Sequence, residues 1–139
     1  MQTIYENYVK PKEKYSSADL DFSFITHPFT KDLVLSLDSN AIKKSLRNLV
    51  LTNHYERLFH PEIGSNLRSL LFELMTPVTA TYIEEEIFNT ITNFEPRVKL
   101  VNIEVTPMFE NNAYEVSITY YEQHSTTTTT VDFFLERLR

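Results

Sequence analysis

The sequence predicts an α+β fold in which about three helices pack on a small antiparallel sheet formed mainly by a C-terminal meander. Between about residues 41 and 94, apolar residues recur at the spacing of helix faces. After residue 97 the period changes to two, which is typical of strands with one buried face. Helices first and strands last favour a layer of amphipathic helices that covers one face of a sheet.

The size and composition of the chain indicate one domain spanning residues 1–139. A chain of 139 residues, 42% apolar and 23% charged, is long enough to bury a substantial core. No apolar run approaches the roughly 20 residues of a transmembrane helix, and the first residues lack the pattern of a secretory signal. We therefore expect no membrane partner and a protein that stays in the cytoplasm where it is made.

Residue counts argue against several kinds of chemistry. The absence of cysteine removes disulfides, thiol catalysis and thiolate metal sites. The single glycine, Gly64, cannot build a dinucleotide or P-loop site, because both need several glycines at fixed spacing. A net charge of −6 without a basic block argues against nucleic acid as a partner. We expect no cofactor.

The N-terminal part gives the weakest pattern. Residues 1–17 mix charge, tyrosine and one proline without periodicity, so we expect an extended arm that is ordered by whatever it touches. Alternation of polar and apolar residues over 19–24 and again over 31–37 predicts two short strands or extended segments.

Capping residues and apolar spacing predict the three helices. The first runs from about residue 41 to 53, after several candidate N-caps. Pro61 and Gly64 are predicted to form a structural turn, with Ser65 as the cap of a short second helix. The apolar stripe of that helix is predicted to be Leu67, Leu70, Leu71 and Leu74.

The third helix has the clearest start signal. Thr76 is a candidate cap and Pro77 suits the first helical position. Because proline disfavours the α conformation in the residue before it, Pro96 should end this helix by about Phe94. Its buried face is predicted to be Ala80, Ile83, Ile87 and Ile91.

The strand region is predicted to form a three-stranded meander. Val101, Ile103 and Val105 share one face of the first strand, and a polar turn at residues 110–112 leads to the second. A β-branched, alternating run over residues 126–135 predicts the third.

Between the third helix and the meander lies Glu95-Pro96-Arg97. Residues two apart in an extended segment point the same way, so Glu95 and Arg97 should project together as a polar pair. One interpretation is a solvated ion pair worth about 0–1 kcal/mol, which the residues alone favour. The other is a docking site for a partner that supplies complementary groups.

Catalytic and metal sites find no support in the residue pattern. The four histidines are scattered, and no pair has the i, i+4 spacing that binds zinc on a helix. The carboxylates of residues 84–86 fan out around a helix axis, whereas a glycosidase needs two held together in a cleft. We predict that the protein is not an enzyme.

The order of four short motifs resembles the baseplate wedge proteins of contractile tails, the family of gene product 25 in T-even phages and its type VI secretion counterpart. The resemblance covers roughly residues 41–135. The motifs are FHPEIGS at 59–65, LLFE at 70–73, TP at 76–77 and NFEPR at 93–97.

The resemblance implies a structural subunit of the tail baseplate in the virion, assembled in the host cytoplasm. Its implied partners are other wedge proteins, which form a helical core bundle, the tail sheath protein and, as a further candidate, the tail tube. In the family the Glu-Pro-Arg motif meets the core bundle, so Glu95, Pro96 and Arg97 are the implied docking residues.

The last strand is the predicted contact with the sheath. The family's sheet is similar to the part of the sheath subunit through which neighbours exchange strands, which implies a sheath initiator. The run over 126–131 contains no lysine or proline to blunt an edge. An alternative is that a segment near Leu33 pairs with this strand internally. The predicted sheath-binding residues are Thr128, Thr130, Val131 and Phe133.

Two other functions stay open at this point. Some family members carry a lysozyme label, which would make the protein a glycosidase. A bacterial relative acts as an anti-adaptor that blocks delivery of a stress sigma factor to proteolysis, which would make it a regulatory binding protein.

Overall fold

Within the residues that the structure describes, the chain has two short strands, three helices and three longer strands, which confirms the predicted α+β class. The structure, a computed structural model, describes residues 18–20, 26, 31, 35–123 and 125–137. It divides into two compact units, residues 1–41 and 42–139. The arm over residues 1–17 lies outside the described residues, so the arm and the single-domain organisation stay predictions.

The first unit contains a small antiparallel pair of strands. Strand β1 (Ala18–Leu20) pairs with β2 (Leu35–Leu37), and Ala18 lies opposite Leu37. Both strands fall where alternation predicts extended structure. Residues 21–25 and 32–34 lie outside the described part, and with them the proposed pairing partner near Leu33.

The three helices are present close to their predicted positions. They are α1 (Asp38–Leu51), α2 (Leu67–Phe72) and α3 (Pro77–Phe94). Helix α3 follows the prediction at both ends: the Thr76 hydroxyl accepts a hydrogen bond from the Thr79 N–H at 3.1 Å, and the helix ends at Phe94. Its buried side chains include the four that spacing predicts, and each buried isoleucine contributes about 1.5–3 kcal/mol.

The prediction for α2 is wrong in two details. The residue before the helix is Asn66 rather than Ser65, and its side chain makes no cap bond. Ser65 is buried and instead donates to the Val50 carbonyl at 2.8 Å. The helix stops at Phe72, because Glu73 adopts extended backbone with φ −72° and ψ 170°, so Leu74 lies beyond it and is exposed.

The meander is confirmed as a three-stranded antiparallel sheet in the order β3-β4-β5. Its strands are β3 (Val98–Met108), β4 (Ala113–Glu122) and β5 (Thr128–Glu136). A tight turn joins β3 to β4, and Asn112 in that turn has a φ of 51°. The register between β4 and β5 is unbroken, from Ala113 opposite Glu136 to Tyr121 opposite Thr128.

A β-bulge corrects the predicted face of β3. Leu100 lies opposite Tyr120 and Asn102 opposite Thr119, so Val101 is an extra residue on its strand. The extra residue reverses the alternation, which leaves Val101 52% exposed and turns Leu100 toward the core. Ile103 and Val105, after the bulge, keep the predicted inward direction.

The core of the second unit lies between the helices and one face of the sheet. Alternate residues of β4 are fully buried, which is expected of the central strand of a sheet covered on one face. The buried β4 side chains are Tyr114, Val116, Ile118 and Tyr120. Phe133 and Leu135 of β5 join them, and the isoleucines of α3 cover the layer.

Candidate functional site

The Glu95-Pro96-Arg97 corner is a hydrogen-bonded junction between α1, α3 and β3. Arg97 donates through Nε to Glu95 Oε1 and through Nη2 to Glu95 Oε2, each at 2.7 Å. The Ser45 hydroxyl of α1 donates to Glu95 Oε2, also at 2.7 Å. Glu95 is only 5% exposed, while the Arg97 side chain is 31% exposed and Pro96 lies at the surface.

The expectation that both charged side chains project into solvent is therefore wrong for Glu95. The two residues do point the same way and pair in the two-pronged geometry that a guanidinium and a carboxylate favour. Burial of Glu95 is compensated in part by Ser45, fifty positions earlier, which supplies a further donor to the carboxylate. The surface of the corner is formed by Pro96 and the outer part of Arg97.

The charge state of Glu95 follows from these contacts. Burial opposes ionisation and raises the pKa, but hydrogen bonds from Arg97 and Ser45 together with the Arg97 charge outweigh it and lower the pKa of Glu95 below its usual value. The carboxylate is thus ionised at neutral pH and holds the guanidinium in one orientation.

A surface depression of about 680 Å³ adjoins the corner. The Gln123 N–H donates to the Arg97 carbonyl at 2.9 Å, so the end of β4 is tied to the corner. The depression is lined by Pro96, Val98, Lys99, Tyr121, Glu122, Gln123, Ser125 and Thr126. Its mixed lining offers cationic, anionic and aromatic groups beside Pro96.

The loop over residues 52–66, which contains Pro61 and Gly64, closes on itself. Its neck is a parallel bridge between Asn53 and Ser65, where the Ser65 N–H donates to the Thr52 carbonyl at 2.8 Å. Gly64 has a φ of +138°, and a Cβ there would lie 2.7 Å from the Thr52 oxygen. Only glycine fits, because the conformation and the close backbone approach both exclude a side chain. The Pro61 carbonyl accepts from the Tyr55 N–H at 2.9 Å.

Strand β5 has one neighbour within the described sheet and is therefore an edge. The Val105 N–H donates to a side chain rather than to Val116 opposite, so this pair is a non-hydrogen-bonded one. Val116 then points its backbone groups at Phe133 of β5. By alternation, the outward-facing backbone groups of β5 belong to Thr128, Thr130, Asp132, Phe134 and Glu136.

The predicted sheath-binding residues fall into two groups on β5. Thr128 and Thr130 are exposed and present outward-facing backbone groups. Val131 is half-buried and Phe133 is buried in the core, so these two side chains anchor the strand to the body of the protein.

The opposite edge of the sheet, β3, is obstructed. The outward-facing N–H of Val105 is taken by Glu84 Oε1 of α3 at 3.0 Å. Two positions further, Pro107 has no N–H with which to pair an added strand. Near the start of β3, the bulge at Val101 interrupts the row of outward-facing backbone N–H and C=O groups. A strand cannot add along β3 without displacing these features.

The carboxylates of residues 84–86 do not converge. Glu84 accepts from β3, Glu86 accepts from the Asn66 N–H at 2.6 Å, and Glu85 is exposed. The carboxylates therefore do fan out around the helix axis, but two of them are not simply solvated. Glu84 and Glu86 each accept a hydrogen bond from a backbone N–H that is distant in the sequence. Within the described residues, no group of three or more histidine or acidic side chains could hold a metal ion.

Comparison with known sequences identifies the family. The family model described as baseplate wedge protein gp25 matches residues 37–126, which include the closed loop and the Glu95 corner. The chain belongs to the gp25 baseplate wedge family. Strand β5 lies beyond the matched stretch.

Proteins similar to this gp25 family chain include baseplate and tail proteins. Baseplate wedge protein gp25 of Enterobacteria phage T4 is 36% identical over 92 residues, which are 66% of this chain and 70% of that protein. Several solved structures share the fold. One is named as a candidate tail lysozyme of Geobacter sulfurreducens, with a TM-score of 0.71, 22% identity and coverage of 77% of this chain and 97% of that one.

The second structure is from the baseplate of the anti-feeding prophage. It aligns with a TM-score of 0.60 and 20% identity over 88% of this gp25 family member and 87% of its own chain. At these identities the structural likeness establishes the fold alone.

Among the described helices, none combines the length and apolarity needed to cross a bilayer.

Proposed function

We propose that this protein is a structural subunit of the baseplate of a contractile tail, which docks on neighbouring wedge proteins and starts polymerisation of the sheath. Membership of the gp25 family supports the baseplate role. The partners proposed are other baseplate wedge proteins and the tail sheath protein. The protein would act in the tail of the virion, after assembly in the host cytoplasm.

The open edge of β5 is the observation that carries the sheath-initiating role. The strand is nine residues long, has no proline or lysine, and pairs with β4 without a bulge. Such an edge accepts a strand from another chain, because its outward N–H and C=O groups need partners. Val131, Phe133 and Leu135 fix the register of β5 against the core, so the template offered to the sheath is rigid.

Two prolines at neighbouring positions test this role. Thr130→Pro removes an outward-facing donor, so we expect the protein to fold and join the baseplate but to lose sheath assembly. Thr129→Pro is the matched control, because it removes a donor that bonds to β4. It should cost about 1–3 kcal/mol of unfolding free energy. Sheath length is read by negative-stain imaging, and incorporation by the composition of purified tails.

Tails that contain the Thr130→Pro protein and still carry full-length sheath would rule out β5 as the template. Equal loss of unfolding free energy in both variants would contradict the assignment of outward and inward backbone groups.

The Glu95 corner is proposed as the docking site on the wedge core. The buried Glu95 carboxylate holds the guanidinium of Arg97 in place through two hydrogen bonds, and Pro96 restricts the backbone between the two residues. A partner would contact Pro96 and the exposed part of Arg97. The buried Glu95 serves to orient Arg97 rather than to touch the partner.

Substitution at the corner separates docking from folding. Arg97→Ala leaves the Glu95 carboxylate with the Ser45 hydroxyl and the backbone N–H of residue 97 as donors, so it should lower the unfolding free energy by about 1–3 kcal/mol, less than for a fully buried pair because Arg97 is partly exposed. Pro96→Ala leaves the pair intact and should weaken incorporation into the wedge with a smaller loss of stability. Normal incorporation of a folded Pro96→Ala protein would count against docking here.

The proposed role is structural and not enzymatic. Glu84 and Glu86 are engaged by backbone donors on different parts of the unit, which does not suit the paired carboxylates of a glycosidase. A cell-wall turnover assay on the purified protein tests this proposal, and activity that is abolished by Glu84→Gln or Glu85→Gln would overturn it.

A further inference from the structure

A groove of about 490 Å³ runs between α3 and the obstructed edge of β3. Phe88 of α3 and Val101 of the bulge are about half exposed, at 51% and 52%, and face this groove from opposite sides. Its lining is completed by Thr81, Glu84, Glu85, Leu100, Asn102 and Ile103. Two large apolar side chains at the mouth of a groove with an apolar floor are typical of a protein contact.

The charge around the groove has one sign. Glu84 and Glu85 stand on its helical side, and α3 carries three glutamates without any lysine or arginine. The only basic residue of β3, Lys99, lines the depression beside the corner instead. Within the described residues Glu85 forms no ion pair, so its charge is available to a partner.

The shape of the β3 edge limits how a partner can bind. An added strand would need a continuous row of backbone groups, and the Glu84 contact, Pro107 and the bulge interrupt that row. A helix binds by its side chains and needs no such row. Its apolar stripe would contact Phe88 and Val101, and basic residues beside the stripe would meet Glu84 and Glu85.

We propose that this groove docks an amphipathic helix of another protein, one whose apolar stripe is flanked by lysine or arginine. A second copy of this chain is a poor occupant, because the chain has a net charge of −6 and the surface it would meet is acidic. The site is separate from both the Glu95 corner and the β5 edge.

A designed peptide tests the chemistry on the purified full-length protein. The probe is an amphipathic helix of about 18 residues with a leucine stripe flanked by lysines, and the control peptide replaces the lysines by glutamates. We expect the lysine peptide to bind, to shift the amide NMR signals of residues 81–88 and 100–103, and to bind more weakly at high salt. Equal binding of both peptides, or shifts elsewhere, would overturn the proposal.

Matched variants separate the groove from the general acidic surface. Phe88→Ser and Glu85→Lys should each weaken the lysine peptide by about tenfold or more. The controls are Phe134→Ser, at an apolar residue of similar exposure (59%), and Glu115→Lys, at an exposed acidic residue. Both residues lie on the other face of the sheet, so both variants should leave peptide binding unchanged. Equal weakening by the two pairs would contradict a site at the groove.

Photo-crosslinking in assembled tails identifies the occupant. Phe88→benzoylphenylalanine should crosslink to a basic, helical segment of another tail protein, whereas the same replacement at Phe134 should not capture that segment. Crosslinks from position 88 to residues 1–17 of this chain, to a second copy, to a strand, or to nothing would overturn the proposed occupant. The peptide experiment uses purified protein and needs no assembled tail. A failure of the proposed helix binding can therefore be distinguished from a failure of the proposed baseplate role.

Discussion

One glycine determines how the chain passes from α1 to α2. At Gly64, a φ of +138° and the approach of the Thr52 carbonyl leave no room for a Cβ. We expect Gly64→Ala to lower the unfolding free energy by at least about 1–3 kcal/mol, since both backbone strain and overlap oppose it. Urea unfolding measures the loss.

Asn66→Ala is the control for Gly64→Ala. Asn66 is exposed, lies two residues away and makes no side-chain cap bond, so its replacement should change stability by less than about 0.5 kcal/mol. A Gly64→Ala protein as stable as the control would show that the neck of the loop can rearrange freely.

Glu95 makes part of the stability depend on pH. Its folded-state pKa lies below the unfolded value, because the donors from Arg97 and Ser45 together outweigh burial, which alone would raise the pKa. The contribution is therefore fully present above that value and is lost as the pH falls through the folded-state pKa. We expect Glu95→Gln to be less stable than the natural protein at pH 7, and the difference to shrink on acidification.

Denaturant unfolding at neutral and acidic pH measures this difference. Glu110→Gln, in the exposed turn between β3 and β4, is the control for general effects of removing a carboxylate. A difference between Glu95→Gln and the natural protein that stays constant into acid would mean that the carboxylate does not gain its contacts in the ionised form.

At the scale of elements, the start of α3 depends on one hydroxyl. Thr76 accepts from the Thr79 N–H, and loss of such a cap costs about 0.5–2 kcal/mol. We expect a loss of that size for Thr76→Ala by thermal or chemical unfolding. Thr81→Ala, an exposed change in the same helix, should have a smaller effect. If both variants melt alike, Pro77 alone is sufficient to start the helix.

Local patterns predict most of the elements. The limits of α3 follow from Thr76, Pro77 and Pro96, since caps and prolines act on neighbouring residues. The β3–β4 hairpin and β5 follow from alternation because each strand has one buried face. The bulge at Val101 is not predictable in this way, since valine suits a regular strand and carries no signal for an extra residue.

The parts of the site that the sequence does not predict depend on distant contacts. The buried Glu95 carboxylate accepts from Ser45, fifty positions earlier, and one of the three obstructions of β3 is the contact with Glu84, which lies 21 residues before Val105. The residue types at the corner and in the closed loop are visible in the sequence. Their exposure and bonding partners are properties of the tertiary packing.

For the whole second unit, the proposed surfaces have fixed positions relative to the sheet. The corner lies where β3 starts and β4 ends, and β5 begins near the same end, with Thr128 opposite Tyr121. A partner bound at Pro96 and Arg97 would therefore lie close to the first outward-facing groups of β5. The helix groove lies along the other edge of the sheet, beside β3.

The unequal edges of the sheet also limit what the protein can do in the absence of partners. Two molecules can join their β5 edges about a twofold axis, which consumes the open edge of each. Within the sheet of β3, β4 and β5, the only edges left in such a pair are the two obstructed β3 edges, where a third strand cannot add without displacing the obstructing groups. We therefore expect any self-pairing of free protein through this sheet to stop at two molecules rather than to grow into a continuous sheet.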